Sequence, residues 1–168
     1  MKKILVVEDE QMLAKIIGMK LEEEQYEVAH AYDGEEAYKL LTGGENLPDL
    51  VLLDVLLPKM SGFDVLEKLR AEGKALPKII VFSNFAQKAD VERARSLGAV
   101  DYIVKAAFSP AEILGKIKTI LEESEAAPAA PAAGEGQAGS SAYQSFESLE
   151  DVMPMSEVLH PDNQTNNP

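Results

Sequence analysis

No cysteine occurs in this chain. Its absence excludes disulfides, thiol nucleophiles and cysteine-held zinc or iron–sulfur centres, and it suits a reducing compartment. Long hydrophobic runs are missing as well. The first apolar stretch, residues 4–7, ends at Glu8 and is too short for the core of a signal peptide. The longest candidate for a membrane span, residues 50–57, is interrupted by Asp54 and falls far below the roughly 20 apolar residues a span needs. We therefore expect a soluble, cytoplasmic chain without membrane insertion. Positive charge is absent from the C-terminal part. Residues 1–123 hold all 16 lysines and arginines with 22 of the 29 acids, a net of −6, and residues 124–168 hold the other 7 acids, a net of −7. An acidic domain carrying an acidic tail repels phosphate backbones, so direct nucleic-acid contact is not expected.

What is present is a chain of 168 residues, 46% hydrophobic, enough for one domain with its own core and a short additional piece. Five short apolar, β-branched-rich runs recur at 4–7, 27–31, 49–53, 78–82 and 102–104. The first, third and fourth are continuously apolar, as in strands covered on both faces. Between them lie helical stripes: Leu13, Ile16, Ile17 and Leu21; Ala37, Leu40 and Leu41; Phe63, Leu66 and Leu69; Val91, Ala94 and Leu97; and, last, Ile113, Ile117, Ile120 and Leu121. Asp33-Gly34 and Ser61-Gly62 read as helix starts, Gly73 and Gly98 as helix ends, and Ser109-Pro110 as a cap followed by proline in the first turn.

Strict βα alternation predicts an α/β fold with a parallel sheet and helices on both faces. Five units most naturally give a flavodoxin-like doubly wound (βα)5 arrangement with strand order 2-1-3-4-5. The domain is expected over residues 1–123, with the last helix ending near Glu123. Residues 126–133 (AAPAAPAA) form an Ala/Pro linker and residues 134–141 a Gly/Ser stretch, so 124–168 is expected to be a largely disordered acidic tail. Within it Ser141 and Gln144 could cap a short helix carrying Phe146, Leu149 and Val152 ahead of Pro154, too short to be stable alone.

In such sheets ligands bind beyond the carboxyl ends of the strands, beside strands 1 and 3. There the sequence has Glu8 and Asp9 after strand 1, Asp54 after strand 3, Ser83 after strand 4 and Lys105 after strand 5. Asp9 alone would be an ordinary turn residue, Lys105 a solvated lysine and Ser83 a loop hydroxyl. Asp54 differs, because it sits between Leu53 and Val55 in an apolar run, where an unpaired charge costs several kcal/mol. Clustered carboxylates raise one another's pKa unless a cation intervenes, and an oxygen-only set with few carboxylates suits Mg²⁺. An ammonium and a hydroxyl beside that cation would hold a phosphoryl group on one acid.

These segments resemble the receiver domain of bacterial two-component response regulators over about residues 1–122. The resemblance rests on KILVVEDE (3–10), DLVLLDVLLPKMSGFDVL (49–66), IIVFSN (79–84) and GAVDYIVKA (98–106), with Pro58 and Gly62 four and eight positions after Asp54. It implies that Asp54 is the phosphoacceptor, taking its phosphoryl group from the phosphohistidine of a sensor histidine kinase or phosphotransfer protein. It implies a Mg²⁺ site at Glu8, Asp9, Asp54 and the backbone carbonyl of Leu56. By the same resemblance Lys105 would pair with the phosphoryl oxygens, Ser83 would hydrogen-bond them, and Tyr102 would be the rotamer switch. Output would pass to another protein through helix 4, strand 5 and helix 5, centred on residues 87–95, Tyr102 and 111–118. Such a protein is a phosphoacceptor signal rather than an enzyme acting on other substrates. With no effector domain in the sequence, it would be of the single-domain type.

Two positions depart from the family pattern. Ala106 replaces the proline that usually follows the lysine in a cis peptide. Either a non-proline cis bond is kept, at about 3–4 kcal/mol, or the loop takes another path. Asn84 stands where a very small residue is usual, which would hinder small phosphodonors. The main alternative is a degenerate receiver that binds partners without phosphate. A haloacid-dehalogenase-type phosphatase would need a second Asp where Leu56 stands, and a flavin carrier would need a hydroxyl-rich loop where Glu8 and Asp9 stand. His30 and His160 read as ordinary solvated residues, and Gly43-Gly44 as a turn without a phosphate-loop lysine.

Overall fold

Alternating side chains along the central strands build two separate cores, one on each face of a single sheet. The computed structural model describes residues 1–44 and 46–126, with side chains through Glu123. Strands β1 (Lys3–Val7), β2 (Glu27–Ala31), β3 (Leu50–Asp54), β4 (Lys78–Ser83) and β5 (Asp101–Val104) alternate with five helices. These are α1 (Gln11–Glu23), α2 (Gly34–Thr42), α3 (Gly62–Ala71), α4 (Lys88–Ser96) and α5 (Pro110–Ala126). A 3-10 turn, Lys105–Ala107, follows β5. The sheet is parallel throughout with order β2-β1-β3-β4-β5, as the alternation predicts.

Leu5, Val7, Val51, Leu53, Ile79 and Val81 point to one face and pack against α2, α3 and α4. Ile4, Val6, Leu50, Leu52, Ile80 and Phe82 point to the other, against α1 and α5. Burial of each such side chain stabilises the fold by about 1.5–3 kcal/mol before entropy is counted, so these runs dominate the sheet's position. Among the described residues no helix is long and apolar enough to cross a membrane.

The helix signals act as read. Asp33 caps α2 by accepting from Glu36 N at 2.8 Å. Ser61 and Asp64 form a capping box on α3. Ser109 and Glu112 form the equivalent reciprocal bonds at the start of α5. Gly73 and Gly98 have φ of +65° and +94° at the helix ends.

Three readings change. Helix α5 continues to Ala126, past the end expected near Glu123. Ile16 and Leu40, placed on core stripes by their spacing, are both 44% exposed. The core arc of α1 is set by Ala14, Ile17, Gly18 and Leu21, which turns Ile16 away from the sheet. His30 is half-buried under α1 rather than solvated, its ring parallel to that of Tyr32. A Cβ on Gly18 would stand 2.7 Å from His30 Cε1, so the absence of a side chain there makes room for the imidazole. The expected tail beyond Ala126, with His160 and the short helix near Phe146, lies outside the described residues.

Candidate functional site

The register brings the predicted residues to one edge of the sheet. Val7 pairs with Leu53, so Glu8 emerges beside Asp54, the last residue of β3. Asp54 pairs with Phe82 and Ser83 with Val104, which puts Ser83 and Lys105 at the same edge. The ladder is fixed one residue further at Glu8, whose N–H donates to Ala31 O at 3.0 Å.

Glu8 and Asp54 are only 1% and 4% exposed, whereas Asp9 is open to solvent. Two buried carboxylates so close together need positive charge, and Lys105 supplies it. Its Nζ lies 2.6 Å from Asp54 Oδ2, to which it donates, and 2.6 Å from Glu8 Oε2. The second contact is an ion pair, and Glu8 Oε2 is buried with no partner besides the Lys105 ammonium. The Lys105 ammonium also sits 5.0 Å from the centre of the Phe82 ring. The remaining oxygens are lightly used: Asp54 Oδ1 accepts from Leu56 N at 3.0 Å and Glu8 Oε1 from Glu10 N at 3.3 Å.

Burial raises the Glu8 pKa above its ordinary value, and the interactions with Lys105 offset this only in part. Burial opposes the charge on Lys105, but the contacts with Asp54 and Glu8 together outweigh it and its pKa stands above normal. The ammonium is therefore charged throughout the neutral range.

The β3–α3 loop closes over Asp54 because residue 62 is glycine. A Cβ there would stand 2.1 Å from the Asp54 backbone oxygen, and Gly62 N donates to Val55 O at 3.0 Å. Lys59, at φ 66°, pairs with the α2 cap Asp33 at 2.5 Å and ties this loop to the next. Leu56 lies in this loop with its side chain turned outward, the residue being 59% exposed. Ser83 is buried, and its Oγ accepts from Phe85 N at 3.3 Å. Tyr102 is buried with its hydroxyl donating to Phe85 O at 2.6 Å, so the Phe85 backbone is held from both sides. Burial raises the Tyr102 pKa, leaving the phenol protonated as that donor. The Phe85 side chain itself is 65% exposed.

No cis peptide bond occurs among the described residues, so Lys105–Ala106 is trans and the chain turns instead through the 3-10 segment. Lys105 nevertheless reaches both carboxylates. Sequence reasoning had not foreseen its contact with Glu8, although the position of Glu8 directly after a four-residue apolar run signals burial.

Glu8, Asp9 and Asp54 each offer a carboxylate oxygen, and these lie within 4.8 Å of one another. Oxygen-only donors, one of them a buried atom whose sole partner is the Lys105 ammonium, fit a hard cation such as Mg²⁺. Excess negative charge, partly neutralised by one ammonium, favours a cation and disfavours an anion bound without one.

Comparison with known proteins agrees with this geometry. The family model described as "response regulator receiver domain" matches residues 4–118. The Bacillus subtilis (strain 168) alkaline phosphatase synthesis transcriptional regulatory protein PhoP is 40% identical over 126 residues, 75% of this chain and 51% of its own length. The chain thus spans about half the length of the curated relatives it matches. A CheY-like receiver domain protein from Methanospirillum hungatei JF-1 is 32% identical with a TM-score of 0.64, covering 75% of this chain and 98% of that one. The Thermotoga maritima response regulator TrrA, solved in complex with Mg(2+)-BeF, is 35% identical with a TM-score of 0.61, covering 71% of this chain and 99% of that one. Receiver domains are phosphoacceptor signalling modules that bind Mg²⁺ in an acidic pocket and interact with histidine kinases or phosphotransfer proteins. With the family model spanning most of the described chain and the acids and lysine meeting at one sheet edge, this chain belongs to the response regulator receiver domain family.

Proposed function

We propose that Asp54 accepts a phosphoryl group from the phosphohistidine of a sensor histidine kinase or phosphotransfer protein, and that this changes the affinity of the chain for another protein. The observation that carries the reading is the buried Asp54 carboxylate, one oxygen on Lys105 at 2.6 Å and the other on a single backbone N–H at 3.0 Å. Such a carboxylate is oriented by Lys105 and only lightly hydrogen-bonded at Oδ1, which suits a nucleophile. The Asp54 oxygen forms the bond to phosphorus while the phosphorus–nitrogen bond to imidazole breaks.

Glu8, Asp9, Asp54 and the Leu56 backbone carbonyl would hold Mg²⁺. When bound, the ion supplies positive charge to the phosphoryl oxygens and relieves repulsion among the acids. Lys105 keeps its ion pair with Glu8 but loses that with Asp54 when Asp54 becomes an acyl phosphate, and its ammonium can then pair with a phosphoryl oxygen. Ser83 can donate its hydroxyl hydrogen to another oxygen of the group while still accepting from Phe85 N. Because Tyr102 holds the carbonyl of the same Phe85, movement at Ser83 is felt on the α4, β5 and α5 face. The acidic balance of residues 1–123 favours a protein over a nucleic acid as the direct output partner. We place this relay in the cytoplasm, a reducing setting that a cysteine-free chain suits.

The test uses a phosphorylated histidine kinase and, separately, phosphoramidate, each with Mg²⁺, read by intact-protein mass spectrometry. Wild type should gain one base-labile phosphoryl group, and Asp54→Asn should gain none. Equal labelling of Asp54→Asn refutes the assignment, and no labelling of wild type by either donor favours a phosphate-independent interaction module.

A further inference from the structure

The loop that carries Leu56 is pinned at both ends. At its near end Leu56 N donates to Asp54 Oδ1 at 3.0 Å, and Gly62 N donates to Val55 O at 3.0 Å. At its far end the contacts come from another element, the start of α2. Gly34 N donates to Pro58 O at 3.3 Å, and Lys59 Nζ donates to Asp33 Oδ2 at 2.5 Å. Pro58 O also accepts from Met60 N at 2.8 Å, which closes a three-residue turn with Lys59 at its centre. Lys59 has φ of 66°, a left-handed conformation that lysine rarely adopts and that persists only where the surroundings impose it.

The start of α2 imposes it. A Cβ on Gly34 would stand 1.8 Å from Met60 O, so the strained turn and the first residue of the helix meet backbone to backbone. Both Asp33 oxygens are engaged: Oδ1 accepts from Glu36 N at 2.8 Å, and Oδ2 takes the Lys59 ammonium. The aspartate that caps α2 therefore also holds the loop. Helix α2 is itself anchored by Ala37 and Leu41, buried in the core, whereas Val55, Leu57 and Met60 of the loop are only partly buried against it. A packed helix thus lends its rigidity to an exposed turn close to Asp54.

Leu56 is where this rigidity matters. Its N–H is the hydrogen bond on Asp54 Oδ1, and its carbonyl would be a Mg²⁺ ligand. We propose that Asp33, Gly34 and Lys59 are positioning residues for the Asp54 site: by clamping the turn to α2, they hold the Leu56 peptide in register with the carboxylate. Their role rests on the reading of Asp54 as a Mg²⁺-assisted phosphoacceptor, and they act on it through Leu56.

Three variants separate this role from its rivals. Asp33→Asn keeps an oxygen for the α2 cap but cannot pair with an ammonium, Lys59→Gln removes the ammonium, and Lys59→Arg keeps the charge. In metal-free protein the Leu56 amide should exchange with solvent about two- to fivefold faster in Asp33→Asn and Lys59→Gln, and at the wild-type rate in Lys59→Arg. The change is modest because the Lys59 side chain is 58% exposed. Mg²⁺ affinity, from NMR titration, should fall by a similar factor in both neutralised variants. Charge acting through space predicts opposite signs instead, since losing a positive group tightens Mg²⁺ binding and losing a negative one weakens it. Unchanged or tighter Mg²⁺ binding in Lys59→Gln, or unchanged Leu56 exchange in either neutralised variant, overturns the clamp. Neither measurement uses a phosphodonor, so the clamp can fail while Asp54 is labelled, and labelling can fail while the clamp holds.

Discussion

Replacing Lys105 with methionine keeps most of the side-chain stem but leaves Glu8 and Asp54 facing each other without a cation. Both carboxylates are nearly inaccessible to water, and each loses a contact of 2.6 Å. Breaking a buried ion cluster by removing one partner costs about 3–5 kcal/mol, because the surviving charge is uncompensated. Asp9 opens one side of this cluster to solvent, so we take the lower end, about 3 kcal/mol at neutral pH without divalent cations. In a domain of this size that lowers Tm by on the order of 10 °C. The sign of the pH dependence follows from Glu8, whose pKa burial already holds above 4.5 against the opposing pull of Lys105. Without the ammonium that pKa rises further. A carboxyl raised in the folded state contributes stability that is complete below its unfolded pKa and is lost as pH rises through the folded value. The deficit of Lys105→Met should therefore be smallest near pH 4.5 and grow toward neutrality. Added Mg²⁺ should recover part of it by replacing the missing positive charge. Urea titrations of both proteins across this pH range, with EDTA and with Mg²⁺, measure all three effects. Equal midpoints at neutral pH without metal, or a deficit that widens on acidification, refutes the electrostatic account.

The other expectations concern the metal and the phosphoryl lifetime. Wild type should bind Mg²⁺ weakly in an NMR titration, and Asp9→Ala should abolish that binding, since it removes the one solvent-facing acid of the cluster; unchanged affinity rejects Asp9 as a ligand. Leu56 and Phe85 are large, apolar and more than half exposed on the two loops that flank Asp54, and neither can orient a water. The acyl phosphate should therefore be comparatively long-lived, and Leu56→Asn or Phe85→Glu should hasten decay of labelled protein in Mg²⁺ without kinase. Identical decay in wild type and both variants shows that these side chains do not limit hydrolysis.

Strand and helix periods, cap residues and the acid within an apolar run are local properties, and the sequence by itself determined the five βα units, the two-sided sheet and the candidates Glu8, Asp9, Asp54, Ser83 and Lys105. Which groups touch depends instead on strand register and loop path. Only the folded chain shows Lys105 bridging Glu8 to Asp54 through a trans peptide, where the family resemblance left the Ala106 loop open. Only the backbone's close approach explains why residue 62 must lack a Cβ above the Asp54 carbonyl. Helical spacing could not separate Ile16 from Ile17, because the orientation of α1 is set by its contacts with the sheet. His30 and Asp101 were hidden for the same reason. One sits against Gly18, and the other is fully buried with Lys116 on its carboxylate at 3.0 Å, and both contacts arise between distant segments. Patterning specifies which faces are apolar, whereas the pairing of buried charges requires the three-dimensional neighbours that neutralise them.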